Sequence, residues 1–329
     1  MPEPLDRETV AALVRDAAAA PSMHNAQPWR FRFLSGTSTF ELRIDPERTL
    51  PHTDPTGRGT HLGCAAALFN LRVAATHAGW GPEHRLLPDP GQRHLLAAVR
   101  LAEPAGPPGE LASLYPGIHR RHTSREPFED RPVPETVRDA LAHAARREGT
   151  QLVFPSAWHA GSLLDLVQDA ERQEASDPAA KGEVARWVRT EEPAAGEPPT
   201  DGIPADALGP RRWDGRAPVR DFTAGRHAAD RPSATFEATP QLALLGTAGD
   251  EPEDWLRAGQ AMQRVLLVAT LNGLATSLTS QALEWPDLRW SAREPVSAMG
   301  HVQMVFRLGF GPPGTPTPRR PVDEILDVQ

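Results

Sequence analysis

The sequence predicts a protein of mixed helices and strands built as two similar halves, and three observations carry that reading. Its 329 residues suffice for two domains of about 150 residues, or for one large unit of two related halves. Two helices with apolar stripes end in one signature: Ala75-Thr76-His77-Ala78-Gly79 and Ala269-Thr270-Leu271-Asn272-Gly273 both read A-T-x-x-G, 194 positions apart. Strand-like runs accompany the helix in each half.

The elements follow in order. Asp6 is placed to cap a first helix whose Val10, Leu13, Val14 and Ala17 share one face, and Pro21 forces its stop. Trp29–Phe33 and Phe40–Ile44 alternate apolar and polar residues around Gly36, which predicts a β-hairpin. Thr60 is expected to cap a helix to about Ala78, apolar nearly all round and therefore buried. Strands are expected near Arg85–Leu87 and Leu95–Leu101, then a short helix near Glu110–His119 and a basic turn, His119–Arg125. Pro134 opens a helix carrying Val137, Leu141 and Ala144. A strand at Gln151–Phe154 and a helix from Ser156 to about Gln173 come next. From Glu191 to Thr235 the pattern dissolves into a stretch with 7 Pro and 5 Gly, too dense for regular structure and typical of a lid, a binding loop or a disordered segment. Order returns with the strand Leu242–Thr247, a helix Trp255–Asn272 behind an Asp250/Glu253 capping box, and a last strand, Val302–Phe310.

Composition excludes several classes. The net charge of −8 argues against a protein that grips nucleic acid through its phosphates. No apolar run approaches the roughly 18 residues of a membrane span, and the N-terminus lacks a signal-peptide pattern. A lone cysteine, Cys64, fits a reducing cytoplasm and cannot build a thiolate metal cage. No metal site is expected from the 12 histidines, which lack zinc-hydrolase spacing. Gly57-Arg58-Gly59-Thr60-His61-Leu62-Gly63 has the wrong spacing for a dinucleotide fingerprint, and no strand precedes it.

Two segments carry chemistry. Ala20-Pro21-Ser22-Met23-His24-Asn25-Ala26-Gln27-Pro28-Trp29 gathers hydroxyl, imidazole and amide groups on a turn held by two prolines. Such an array suits the edge of a polar heteroaromatic ring; equally, Ser22 or Asn25 can cap backbone groups at a helix stop. In Arg121-His122-Thr123-Ser124-Arg125, alternate residues of an extended chain face one way, so two guanidinium groups flank a hydroxyl as in a phosphate clamp. A solvated basic turn is the other reading of it, as it is of the pair Arg319-Arg320.

With A-P-S-x-x-N-x-Q-P-W before a strand, R-x-T-x-R before a helix and R-R-P-V-D-E near the C-terminus, the chain resembles the FMN-dependent nitroreductase superfamily. The likeness is strongest to its fused, two-repeat Acg-like branch, where H-R-R-x-[ST]-x-R-x-P-F recurs, here His119 to Phe128. That resemblance implies an α+β fold with mixed sheets wrapped by helices. It also implies two degenerate repeats, residues 1–115 and 116–329, forming an intramolecular pseudo-dimer around one FMN site, with a lid-like insertion at about 191–235. By resemblance Arg121, Thr123, Arg125 and Arg319 bind the phosphate, and Ser22, His24 and Asn25 approach the flavin. Leu278, Ser280 and Gln281 then line the isoalloxazine, with Leu278 and Gln281 standing where the superfamily often has Pro and Gly.

The implied activity is hydride transfer from NADH or NADPH through flavin N5 to a small organic acceptor, nitro- or quinone-like. The cofactor supplies the redox chemistry, so no catalytic side chain is named. Two other functions share the site: a flavin-sequestering protein closed by its lid, with Trp213 and Phe222 as plugs, and a biosynthetic tailoring dehydrogenase. The expected partner is a small molecule, with neither nucleic acid nor membrane, and further homodimerisation is left open.

Overall fold

A computed structural model describes residues 5–103, 109–189, 199–222, 231–293, 297 and 299–329. Helix α1 (Arg7–Ala18) starts where the Asp6 carboxylate accepts the Thr9 N–H at 2.8 Å, and it buries the predicted Val10, Leu13, Val14 and Ala17. Strands β1 (Trp29–Leu34) and β2 (Thr39–Ile44) form the expected antiparallel hairpin, with Phe33 opposite Phe40. Helix α2 (Arg58–His77) is buried along most of its length. Thr60 is not its cap. The helix begins after Gly57, whose φ is +76°, and the Asp54 carboxylate accepts from the N–H groups of Gly59 and Thr60 and from the Thr60 hydroxyl. Strands β3 (Gly81–Leu86) and β4 (Leu95–Ala102) follow, the first starting earlier than its polar residues suggest.

The expected short helix is a 3₁₀ segment, Glu110–Gly117. Helix α3 (Glu135–Arg147) starts after Pro134, and β5 (Gln151–Val153) leads to α4 (Ala157–Ser176), capped by Ser156. An unforeseen helix, α5 (Pro178–Arg186), is capped by Asp177. The Pro/Gly-rich stretch contains two small parallel pairs, β6 (Val188–Arg189) with β7 (Ile203–Pro204), and β8 (Arg211–Asp214) with β9 (Ser233–Thr235). Parts of the expected lid, 191–198 and 223–230, lie outside the described residues. After β10 (Gln241–Thr247) comes α6 (Pro252–Leu271). Its capping box is one residue later than predicted, because Pro252 occupies the first turn and forces the residue before it to be extended. Glu251 is therefore the cap, its N–H donating to Asp254 at 3.1 Å. Strand β11 (Ala275–Thr279), helix α7 (Pro286–Ser291), strand β12 (His301–Gly309), helix α8 (Val322–Ile325) and strand β13 (Leu326–Val328) complete the chain.

The fold is α+β. One sheet has the order β13-β1-β2-β4-β3 and the other β11-β12-β10-β5. The C-terminal strand returns to pair in parallel with β1, so the sheet of the first segment is closed by the last residues of the second. Helices α2 and α6 cross between the sheets within one continuous core that includes Leu62, Leu68, Val265 and Leu266. A polar chain crosses with them, Gln263 Nε2 donating to Asn70 Oδ1 at 2.7 Å and Asn70 Nδ2 to the Asp16 carbonyl.

The A-T-x-x-G repeat has a physical content. In both helices the glycine lies at positive φ (Gly79 +86°, Gly273 +75°). The N–H beyond it reaches back to the alanine carbonyl, Trp80 to Ala75 at 2.9 Å and Leu274 to Ala269 at 3.0 Å. Both threonine hydroxyls bond the carbonyl four residues back. These are two Schellman stops of one design, each running directly into a strand.

The crossing depends on Gly259. A Cβ there would lie 2.4 Å from the Leu62 carbonyl oxygen and 2.6 Å from the Ala65 Cβ. Gly259→Val should therefore lower the unfolding free energy by about 3 kcal/mol. Gly161→Ala, in open space within α4, should raise it by about 0.5–1 kcal/mol. Urea denaturation midpoints check both. Among the described residues no helix is long and apolar enough to cross a membrane, and no cluster of metal ligands occurs.

Candidate functional site

Near the helix crossing lies a cavity of about 1110 Å³, continuous with solvent. Its walls come from the turn after α1, the first turns of α2, the basic turn, residues 218–222, and the segment Ser277–Gln281. All ten sequence-predicted residues line it: Ser22, His24, Asn25, Arg121, Thr123, Arg125, Leu278, Ser280, Gln281 and Arg319. Among the described residues no aspartate or glutamate does, whereas Arg58, Arg121, Arg125, Arg220 and Arg319 all do.

The turn after α1 sits close to α2 because that helix presents glycine there. Added Cβ atoms at Gly59 and Gly63 would meet Met23 Cε at 2.8 Å and Ser22 Cβ at 3.2 Å. The glycines that fail as a dinucleotide fingerprint thus let a loop lie against a helix. His24, Asn25 and Gln27 all have left-handed φ, 51°, 56° and 53°, a conformation that non-glycine residues hold only when surrounding bonds impose it. Those bonds are visible. Ser22 Oγ accepts the Gln27 N–H at 2.9 Å. Asn25 Nδ2 donates to the carbonyls of Gly202 and Pro318, and its Oδ1 accepts from Arg319. Gln27 donates to the Thr200 carbonyl and accepts the Arg320 N–H. The motif's amides therefore hold backbone together, and His24 is the side chain they present to the cavity.

His24 is 6% exposed, its Nε2 has no partner among the described residues, and its ring meets Phe222 edge-on at 5.9 Å. Burial, reinforced by Arg220 and Arg125, holds its pKa well below 6.5, so the ring is neutral. Gln281, also buried, has an unpartnered Nε2. Ser280 donates instead to Glu284 at 2.8 Å.

The basic turn is fixed by the Ser124 N–H, which donates to the Thr276 carbonyl at 2.8 Å, and by a bridge between Thr123 and Thr276. Arg121 is 3% exposed. Its Nη2 reaches the Ala19 carbonyl at 3.3 Å, while Nε and Nη1 have no partner among the described residues. Burial, then the neighbouring Arg319 charge, pulls its pKa to about 9, so it still carries its charge near neutrality. Arg125 donates to the Ala207 carbonyl and lies 5.1 Å over the Phe222 ring. Arg319 is differently placed. Nε and both Nη groups donate to the carbonyls of Ala18, Ala19 and Ala20 at the end of α1, to Asn25 Oδ1, and to Thr317 and Pro318.

Sequence reasoning missed Arg58 and Arg220. Arg220 is buried between Glu284 and Glu174, at 2.9 and 2.8 Å, and ties the 218–222 strap over the cavity. Of the two expected plugs, Phe222 reaches the cavity, but Trp213 is 80% exposed on β8, whose two-stranded ribbon faces solvent.

Residues 1–47 and 118–285 match the family model described as "Nitroreductase family". A Mycobacterium tuberculosis protein named "Putative NAD(P)H nitroreductase" is 33% identical over 329 residues, covering 98% of this chain and 92% of that one. A second from the same organism, "Putative NAD(P)H nitroreductase acg", is 29% identical over 328 residues, covering 98% and 96%. Among solved structures, an FMN and NADPH-dependent nitroreductase from sphigopyxis sp. covers 66% of this chain and 98% of its own, at 17% identity and TM-score 0.40, too distant to bear on the site.

Proposed function

This chain belongs to the nitroreductase family, and from that premise we propose that it is an oxidoreductase holding FMN in the arginine-lined cavity. Bound FMN would supply the redox chemistry, taking hydride from NADH or NADPH at N5 and passing it to a small nitro- or quinone-like acceptor. One observation carries the reading: among the described residues Arg121 is a buried guanidinium with two unpartnered donors, in a cavity to which they bring no carboxylate. A buried charge without a counter-ion is costly, so the site is built for an anion that arrives from outside.

The chain's own groups divide the work. Arg121, with Nε and Nη1 unpartnered among the described residues, would hold the phosphate together with Thr123 and Arg125 on the same turn. The unpartnered His24 ring nitrogen and the Gln281 amide N–H, both polar groups facing the cavity, suit the polar edge of a heteroaromatic ring. Met262, Met304 and Leu278 give the cavity apolar surface, and Phe222 on its strap excludes water. Asn25, Gln27 and Arg319 hold the His24 turn in place. Residues 1–115 and 116–329 both contribute walls, which supports reading them as two repeats sharing one flavin. The sole cysteine, Cys64, is buried and burial pushes its thiol pKa up, so it takes no part in this chemistry.

The visible spectrum of the purified protein tests this. Flavin absorption with about one FMN per chain, bleached by NADPH or NADH under anaerobic conditions, is the expected result. A colourless protein that cannot be reconstituted with FMN would remove the proposal. The Arg220 tie to Glu284 and Glu174 favours one second reading, flavin sequestration beneath a closed strap. Bound flavin that stays oxidised with both donors would select it. A tailoring dehydrogenase would differ only in its acceptor.

A further inference from the structure

His122 is the residue of the basic turn that strict alternation would direct away from the cavity. In the structure it lines the cavity beside Arg121, Thr123 and Arg125. The chain curls here rather than running extended. The Arg121 N–H donates to the Gly117 carbonyl at 3.0 Å, and the Ser124 N–H is then held by Thr276 at 2.8 Å. Ser124 is the member that turns away, fully buried with its hydroxyl donating to the Pro312 carbonyl at 2.9 Å. The turn therefore brings two guanidinium groups, a hydroxyl and an imidazole to one wall.

The charges around the half-buried His122 ring are positive: Arg121 on its own turn, Arg319 from the C-terminal segment, and His119 three residues earlier. The nearby carboxylate is engaged, since Asp16 on α1 lies 2.6 Å from His119 Nε2. Among the described residues only His119 and His301 have a carboxylate within ion-pair distance. Burial, then the charges of Arg121 and Arg319, pull the His122 pKa to about 4, against a smaller opposing pull from the His119 carbonyl. Without an anion the ring is thus neutral, with one N–H and one lone pair.

A phosphate reverses that balance. Its negative charge offsets the two arginines that hold the ring neutral, and its oxygens accept hydrogen bonds that a lone pair cannot give and a second N–H can. We propose that His122 is a further ligand of the phosphate and takes up a proton as the phosphate arrives, so that capture of FMN is proton-linked. The assignment rests on the FMN reading above and adds a residue and a pH dependence to it.

The sign separates His122 from the cofactor. The FMN phosphate loses its second proton near about pH 6, and guanidinium forks favour the dianion, so this ionisation alone makes binding tighter as pH rises. A histidine that gains its proton on binding makes binding weaker as pH rises through neutrality. FMN is titrated calorimetrically into the stripped full chain in phosphate-free buffers of two ionisation enthalpies. Wild type should take up protons at pH 7 and bind FMN about fivefold more tightly at pH 6 than at pH 8. His122→Gln should lose the uptake and reverse the trend, binding about twofold more tightly at pH 8. Riboflavin, which lacks the phosphate, should not distinguish the two proteins. In wild type the His122 imidazole proton resonance should titrate near neutrality with FMN and near pH 4 without it. FMN binding with one pH dependence in wild type and His122→Gln, or a resonance that FMN leaves unmoved, overturns the proton-linked ligand and leaves the flavin reading standing. If FMN binds at no pH the flavin reading falls, and inorganic sulfate decides His122. A resonance that sulfate moves toward neutrality keeps the anion site; one that stays removes it too.

Discussion

Replacing Arg121 with leucine should weaken FMN binding at least a hundredfold and, in FMN-free protein, should leave the fold no less stable than before. The two expectations have opposite signs because Arg121 is buried with Nε and Nη1 unpartnered. In the FMN-free protein its guanidinium is desolvated and has one weak bond, to Ala19 at 3.3 Å, to show for it. Apolar replacements of buried charges are often neutral or stabilising by about 1–4 kcal/mol. With the phosphate in place the same donors make charge-assisted hydrogen bonds, each worth about 1.5–3 kcal/mol. Two of them correspond to a factor of about a hundred or more in Kd. Quenching of flavin fluorescence gives the affinity, and urea unfolding of the stripped protein gives the stability. Because ligand at about a thousand times its Kd adds about 4 kcal/mol to the folded state, the flavin-loaded wild type should unfold later than the variant at equal FMN. A leucine variant that keeps wild-type FMN affinity would show that the phosphate lies elsewhere. One that loses several kcal/mol without FMN would make Arg121 part of the fold.

Much of this architecture is legible in the sequence because it rests on local rules. The apolar face of α1, the β1–β2 alternation and the two Schellman glycines are each set by residues within a turn or two of one another. Where the reading slipped, a nearby residue outcompeted the expected one. Asp54 rather than Thr60 satisfies the start of α2, and Pro252 moves the α6 cap to Glu251. Strand β13 escaped notice because three residues of a tail become a strand only when β1 offers an edge. The site divides the same way. Both motifs declare themselves by residue type, and their members do meet in one cavity. What spacing cannot express is which side chains keep free donors and which hold the backbone. That depends on carbonyls supplied from residues 199–222 and 312–320, far away in sequence.

Arg319 is where that distinction has its largest consequence. Read as a motif, it is a phosphate ligand like Arg121; in the structure its donors already serve seven acceptor atoms. Three of these are the carbonyls of Ala18, Ala19 and Ala20, left open where α1 ends, so the guanidinium acts as a charged cap on the helix terminus. A fourth is Asn25 Oδ1, which links that cap to the left-handed turn presenting His24. Arg319→Gln cannot reach both the helix end and the turn, and it leaves several buried carbonyls unpaired. The expected loss is about 3 kcal/mol of unfolding free energy, present with or without FMN, the usual scale for breaking a charged buried network. FMN affinity should fall less than in the Arg121 variant, and by the same factor in Asn25→Ala, because both loosen the turn without removing a ligand. Paired urea titrations of stripped and FMN-saturated protein read this directly: the midpoints of the Arg319 variant should shift down in parallel, whereas those of the Arg121 variant should separate only when FMN is present. If the stripped Arg319 variant is as stable as wild type and its FMN affinity has dropped a hundredfold, the guanidinium turns from its carbonyls to the phosphate on binding, and the division of labour between the two arginines argued above is reversed.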